Sequence, residues 1–233
     1  MISARKYHKG YTIQPYSPAA GTGLSSHELN QPGTYKMVKD TTIAAQFKIE
    51  GTENDYFLAW TTTPWTLPAN NGLAVGKEIA YVKVATFNQY TFAPVNVILA
   101  KDRVSAYFNQ KAADLKLEDY KPGDKLIPFK VVQEYKGKEL AGMAYEQLVI
   151  GDFVTTEDGT GIVHISKTFG ADDFRTSVQN NLPGVFVKDE GGFEVPIVDK
   201  KGKFVDEVGA YLKAKMKEWD ITAHKEYDED GFY

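Results

Sequence analysis

Trp60-Thr61-Thr62-Thr63-Pro64-Trp65-Thr66-Leu67-Pro68-Ala69-Asn70 is a run of hydroxyls held between two tryptophans and two prolines. The residues leading into it, Tyr56-Phe57-Leu58-Ala59-Trp60, are aromatic and branched, as a strand surface requires. A second strand, Ala44-Ala45-Gln46-Phe47-Lys48-Ile49, precedes them across a turn at Gly51-Thr52-Glu53-Asn54. In a strand, Thr61 and Thr63 share one face and Thr62 takes the other, and Pro64 ends the pairing by removing a donor. A polar edge strand stopped by proline explains the threonines alone. The flanking Trp60 and Trp65 argue for more, because such rings commonly wall ligand pockets.

About a hundred residues later comes Gly159-Thr160-Gly161-Ile162-Val163-His164-Ile165-Ser166-Lys167-Thr168-Phe169-Gly170-Ala171-Asp172-Asp173. It reads as a glycine turn, a short buried strand carrying His164, and a loop into a helix that runs from Gly170 to about Asn180. His164 taken alone fits a satisfied core histidine as well as a site residue. Asp172 and Asp173 suit the first turn of a helix, where carboxylates meet free N–H groups and the macrodipole. Hydroxyls, an imidazole and a carboxylate together suit a pocket for a small ammonium-bearing ligand.

Further strands are expected at 81–85, 95–99, 126–132 and 147–150, and helices at 101–109 and 205–219. Residues 11–36, rich in Gly, Pro, Ser and Asn, read as an extended connection with turns. With no regular βαβ alternation, the expected class is α+β, a mixed or antiparallel barrel-like sheet with a few peripheral helices. The expected organisation is a connecting segment at 1–40, the main domain at 41–222, and an acidic tail at 223–233.

The chain has 233 residues, 42% of them hydrophobic and 25% charged, which is ordinary for a soluble globular protein. No apolar run approaches a membrane span, and Met1 to Lys6 lacks the apolar core of a signal peptide. Cysteine is absent, which removes disulfides, thiolate zinc sites and a thiol nucleophile, and makes a reducing cytoplasm the default setting. The net charge of −4 speaks against a surface that grips nucleic acid on its own. His8, His27, His164 and His224 are scattered, so no metal site is expected, and no G-x-S-x-G elbow points to a serine triad.

The two stretches together resemble the editing domain inserted into isoleucyl-tRNA synthetase. That family's pattern reads roughly W-T-T-T-P-W-T-L-P-A-N, then G-T-G-x-V-H-x-A-P-x-x-G-x-D-D. The first is matched throughout, and Thr63-Pro64-Trp65 favours the isoleucyl branch over its valyl and leucyl relatives. The second departs at Ser166-Lys167, where the family carries Ala-Pro; a looser loop and an added cation near the site are expected there. H-I-G-H and K-M-S-K-S motifs do not occur, so the chain looks like an excised insertion domain that does not activate isoleucine.

The resemblance implies hydrolysis of the ester of mischarged Val-tRNA(Ile). It implies that Asp173 pairs with the substrate's ammonium group while His164 and Thr63 crowd the side-chain pocket. Thr61, Thr62 and Asn70 then face the terminal adenosine, the ester or the attacking water, Trp60 and Trp65 shape the walls, and Thr66 is a further substrate-binding candidate. Thr61, Thr62 and Asp173 are the catalytic candidates. The implied partners are the 3′ end of tRNA(Ile) and the rest of the synthetase, with no cofactor and a monomeric fragment. A module that binds aminoacyl-adenosine without turnover, and a metal hydrolase using His164 and Asp173, are the rival readings.

Overall fold

A computed structural model describes residues 14–37, 39, 42–145, 148–150 (backbone only), 154–199 and 203–210. The expected tail at 223–233, and the expected helix at 205–219 beyond its first residues, lie outside this set. So do Met1 to Lys6, His8 and His224.

In chain order the strands are β1 (Tyr16–Ser17), β2 (Thr22–Gly23), β3 (Ile43–Lys48), β4 (Asp55–Thr61), β5 (Gly72–Val75) and β6 (Ala80–Phe87). They continue with β7 (Pro94–Ala100), β8 (Lys130–Lys136), β9 (Leu148–Ile150), β10 (Ile162–Ile165), β11 (Phe186–Lys188) and β12 (Glu194–Pro196). The α-helices are α1 (Ser26–Leu29), α2 (Val104–Tyr107), α3 (Gly137–Leu140) and α4 (Ala171–Gln179).

The chain divides into two compact units. The smaller combines residues 15–24 with the described residues from Val185 onward. It holds two antiparallel hairpins, β1 with β2 and β11 with β12, and a bridge between Val198 and Phe204. The expected connection at 11–36 therefore contains a paired hairpin in its described part, followed by the one-turn helix α1, which belongs to the larger unit. Ser25 caps α1 and Glu28 returns to the Ser25 N–H, which satisfies donors that a single turn otherwise leaves open.

The larger unit, Ser25–Gly184 among the described residues, is built on an eight-stranded mixed sheet in the order β8-β6-β7-β4-β10-β5-β9, with β3 added against β4. The pairings among the described residues do not close a ring, so the α+β class stands with an open, barrel-like sheet. Strand β4 is the branch point. β3 runs antiparallel along its whole length, β7 pairs in parallel with Asp55, Tyr56 and Phe57, and β10 takes over at Trp60.

Alternation along β4 divides the core between the two faces of the sheet. Phe57 and Ala59 pack with Tyr81, Ile98, Leu73 and Ile162, whereas Leu58 packs with Val82, Val84, Val97 and Leu99. Thr61 continues the Phe57–Ala59 row, so its hydroxyl is carried into a buried environment.

β11, β12 and α3 were not expected, and two strands of the large sheet differ from expectation as well. The strand anticipated at 126–132 starts only at Lys130, because Pro128 has no N–H to give a ladder and its carbonyl instead accepts from the Thr86 hydroxyl at 2.9 Å. β5 was unforeseen: Gly72 and Ala74 are poor strand formers, and full burial rather than propensity holds the segment extended.

Candidate functional site

Strand pairing brings the two informative stretches side by side. β10 runs parallel to β4 with Val163 opposite Trp60, and antiparallel to β5 with His164 opposite Leu73. The threonine run leaves β4 after Thr61 and turns into a 3-10 helix over Pro64–Ala69. Pro64, near the helix start, lacks an N–H that would have no partner there anyway. Thr62 and Thr63 therefore lie beyond the strand, and Thr63 stays near Thr61 through the turn. Its N–H donates to Thr61 Oγ1 at 3.0 Å, and the two hydroxyl oxygens are 3.3 Å apart.

The hydroxyls continue inward. Thr63 Oγ1 lies 3.1 Å from Thr66 Oγ1, which lies 2.8 Å from His164 Nε2. Thr66 also donates to the Thr63 carbonyl at 2.8 Å. On the other side of the ring, His164 Nδ1 is 3.0 Å from the Asn70 side-chain nitrogen. That nitrogen donates to the Gly72 carbonyl at 2.9 Å, and Asn70 Oδ1 accepts from the Tyr145 hydroxyl at 2.8 Å. Thr61, Thr66 and His164 are buried. Burial pushes the imidazole down to about 4, so His164 is neutral at physiological pH.

The glycine turn is a packing device. Gly159 (φ +66°) lies under the Trp60 ring, where an added methyl carbon would sit 2.7 Å from a ring atom. Gly161 (φ +73°) abuts Ala100, and its carbonyl accepts from the Tyr81 hydroxyl at 2.6 Å. Arg103 holds the same turn by donating to the Gly159 and Glu157 carbonyls at 2.7 and 3.1 Å. Trp60 is thus occupied with Gly159, on the strand face opposite Thr61. Trp65 is 49% exposed, and Thr62 is exposed as well.

Asp173 stands in the first turn of α4, which Gly170 begins in an extended conformation. Its Oδ1 accepts from the Ser166 N–H at 2.8 Å, and Ser166 Oγ donates to the Ala69 carbonyl at 3.0 Å. Ser166 therefore joins the end of the threonine segment to the start of α4. Burial pushes the Asp173 carboxyl above its ordinary value despite the Ser166 N–H, and Asp172 beside it adds to the rise. Lys167 reaches away to the Leu182 carbonyl at 2.9 Å. The Ser-Lys pair thus ties the loop into its surroundings, and the cation is engaged at the far end of α4.

Among the described residues, no three of His, Asp and Glu converge as metal ligands. A cleft of about 530 Å³ lies on the Leu58–Val97 face of the sheet, opposite the threonine–histidine cluster. Two partners of Asn70 escaped the sequence reading: the Tyr145 hydroxyl and the Gly72 carbonyl meet it through contacts that only the fold creates.

The chain is 59% identical over 232 residues to an isoleucine–tRNA ligase of Cytophaga hutchinsonii, covering 92% of this chain and 21% of that protein. The chain is homologous to a segment of isoleucine–tRNA ligases. Relatives of the same name in Bacteroides fragilis and Clostridium novyi are 54% and 40% identical, over 94% and 91% of this chain. The chain spans about a fifth of the length of these relatives (21% and 19%). No protein-family model matches. Among solved structures, the editing domain of a P. knowlesi cytosolic leucyl-tRNA synthetase aligns with a TM-score of 0.43 and 14% identity, covering 72% of this chain and 67% of that one. Among the described residues, no helix is long and apolar enough to cross a membrane.

Proposed function

We propose that this chain is an editing domain that hydrolyses the ester linking valine to tRNA(Ile). The observation that supports this most is the continuous hydrogen-bonded line from Thr61 through Thr63 and Thr66 to His164. It unites both stretches in which the chain resembles the editing family, and the homologous ligases have a chemical need for such a site. One missing methylene is worth only about 1–3 kcal/mol of discrimination in an apolar pocket, so a second pocket has to remove the smaller amino acid after transfer.

In this reading the substrate's α-ammonium pairs with Asp173. Burial already makes the free carboxylate uncomfortable there, so a bound cation relieves it. His164, held rigid by bonds at both ring nitrogens, and Thr63 set the size limit of the pocket. Thr61, Thr62 and Trp65 border the approach of the terminal adenosine. Water attacks the ester carbonyl, and the ribose oxygen leaves as the alcohol. His164 is walled in by Thr66 and Asn70, so it is not the base. Positioning, with help from the substrate's neighbouring ribose hydroxyl, carries the reaction. The acidic chain then needs to take only the 3′ end of the tRNA, and the rest of the synthetase holds its body in a cytoplasmic setting.

Substitution tests this directly. Asp173→Ala should abolish release of valine while leaving the fold intact by circular dichroism. Unchanged release would remove Asp173 from its role. Turnover absent from the unsubstituted chain, with an aminoacyl-adenosine analogue still bound, would turn the reading into that of a binding module.

A further inference from the structure

We propose that Asn70 is a positioning residue that sets the hydrogen-bond direction of the whole threonine cluster, so that Thr61 and Thr63 face a ligand as acceptors. The proposal deepens the editing reading and rests on it for the identity of the ligand, but not for the hydrogen-bond directions themselves.

A backbone carbonyl can only accept. Gly72 C=O lies 2.9 Å from one end of the Asn70 amide, so that end is the NH2 group. The opposite end is then Oδ1, and the Tyr145 hydroxyl donates to it at 2.8 Å. The same NH2 faces His164 Nδ1 at 3.0 Å, so Nδ1 must be the accepting nitrogen. A neutral imidazole has one proton, which is therefore on Nε2 and is given to Thr66 Oγ1 at 2.8 Å.

The direction then propagates outward. Thr66 spends its hydrogen on the Thr63 carbonyl, so the hydroxyl hydrogen between Thr63 and Thr66 comes from Thr63. Thr61 in turn gives its hydrogen to Thr63 Oγ1 and accepts the Thr63 N–H. Each hydroxyl hydrogen is used inside the cluster. What Thr61 and Thr63 have left is one lone pair each, because a hydroxyl oxygen accepts two bonds. Such a face takes donors: a water poised to attack, whose own lone pair then points away from the threonines, or an ammonium group. It rejects carbonyl oxygens, so the ester must be turned with its carbonyl away from the cluster.

The test reads the imidazole tautomer by long-range 1H–15N correlation on the 15N-labelled chain, with His164 assigned by its loss in His164→Gln. The unsubstituted chain should show His164 as the Nε2–H form alone. Asn70→Asp, read at pH 9 where the ring is neutral, presents only acceptors to Nδ1 and should move the proton to Nδ1. Asn70→Ala removes the constraint and should give both tautomers. Tyr145→Phe should keep the Nε2–H form, since Gly72 still orients the amide. Hydrolysis of Val-tRNA(Ile) should fall by about tenfold or more in Asn70→Asp, as for loss of an outer residue that orients a ligand-binding group. An Nδ1–H His164 in the unsubstituted chain, or an Nε2–H form that persists in both Asn70 variants, overturns the proposal whatever hydrolysis does. Absence of all hydrolysis, with the tautomers as expected, would count against the editing reading and leave the directions standing.

Discussion

His164 Nε2 lies 2.8 Å from the Thr66 hydroxyl although 98 residues of chain separate them. The contact is the hinge of the site, because Thr66 is also bonded to both the hydroxyl and the carbonyl of Thr63. Thr66→Val keeps the side-chain shape and leaves a buried imidazole N–H without an acceptor. Unfolding in urea should show a loss of about 1–3 kcal/mol. An unchanged midpoint would mean that the network contributes nothing to the native state.

Acid should weaken the fold through the same histidine. Burial holds the folded imidazole at about 4, below its usual 6.5. Between those values the unfolded chain takes up a proton that the folded chain refuses, so stability is full above about pH 6.5 and is lost as pH falls toward 4. The loss from this group is at most about 3 kcal/mol. Denaturant titrations at pH 7 and 4.5, compared with His164→Gln, should show a smaller pH dependence in the variant. Equal slopes would contradict the burial argument.

Gly159 and Gly51 provide a controlled pair. Both have positive φ, +66° and +72°, but an added Cβ meets the Trp60 ring at Gly159 and open space at Gly51. Gly51→Ala should cost about 1–2 kcal/mol from backbone strain alone. Gly159→Ala adds a steric clash and should lower the melting temperature distinctly more. Similar melting temperatures would show that Trp60 does not rest on the turn.

Ser166 and Lys167 each have one bond that can be removed separately. Ser166→Ala loses the bond to the Ala69 carbonyl but keeps the backbone N–H on Asp173. Lys167→Ala loses the bond to the Leu182 carbonyl. Each should cost about 1 kcal/mol of stability, measured in urea. Valine release should stay close to that of the unsubstituted chain, because these two bonds end on the backbone carbonyls of Ala69 and Leu182 and not on Thr61, Thr63, Thr66 or His164. A large loss of release in Ser166→Ala would make its hydroxyl part of the site.

Local chemistry explains what could be read in advance. The aromatic run from Tyr56 to Trp60 marked the strand, although it ends at Thr61 rather than at Pro64, and the two aspartates marked the start of α4. Pairing between β4 and β10 could not be read, because short apolar runs do not name their partners. The same gap hid Tyr145, whose place beside Asn70 depends on a contact 75 residues away. The strand β5 was missed because glycine and alanine carry no strand signal when burial alone sets the conformation. Trp60 looked like a pocket wall from its position beside the threonines, yet alternation turns it to the far side, against Gly159.

Selectivity between two esters is the most direct test of the account. Val-tRNA(Ile) and Ile-tRNA(Ile) are incubated with the chain, with and without a chelator, and release of each amino acid is followed. Valine should be released and isoleucine retained, and the chelator should change neither. Equal release of both esters, or release that the chelator stops, would contradict a metal-independent pocket that sorts by one methylene.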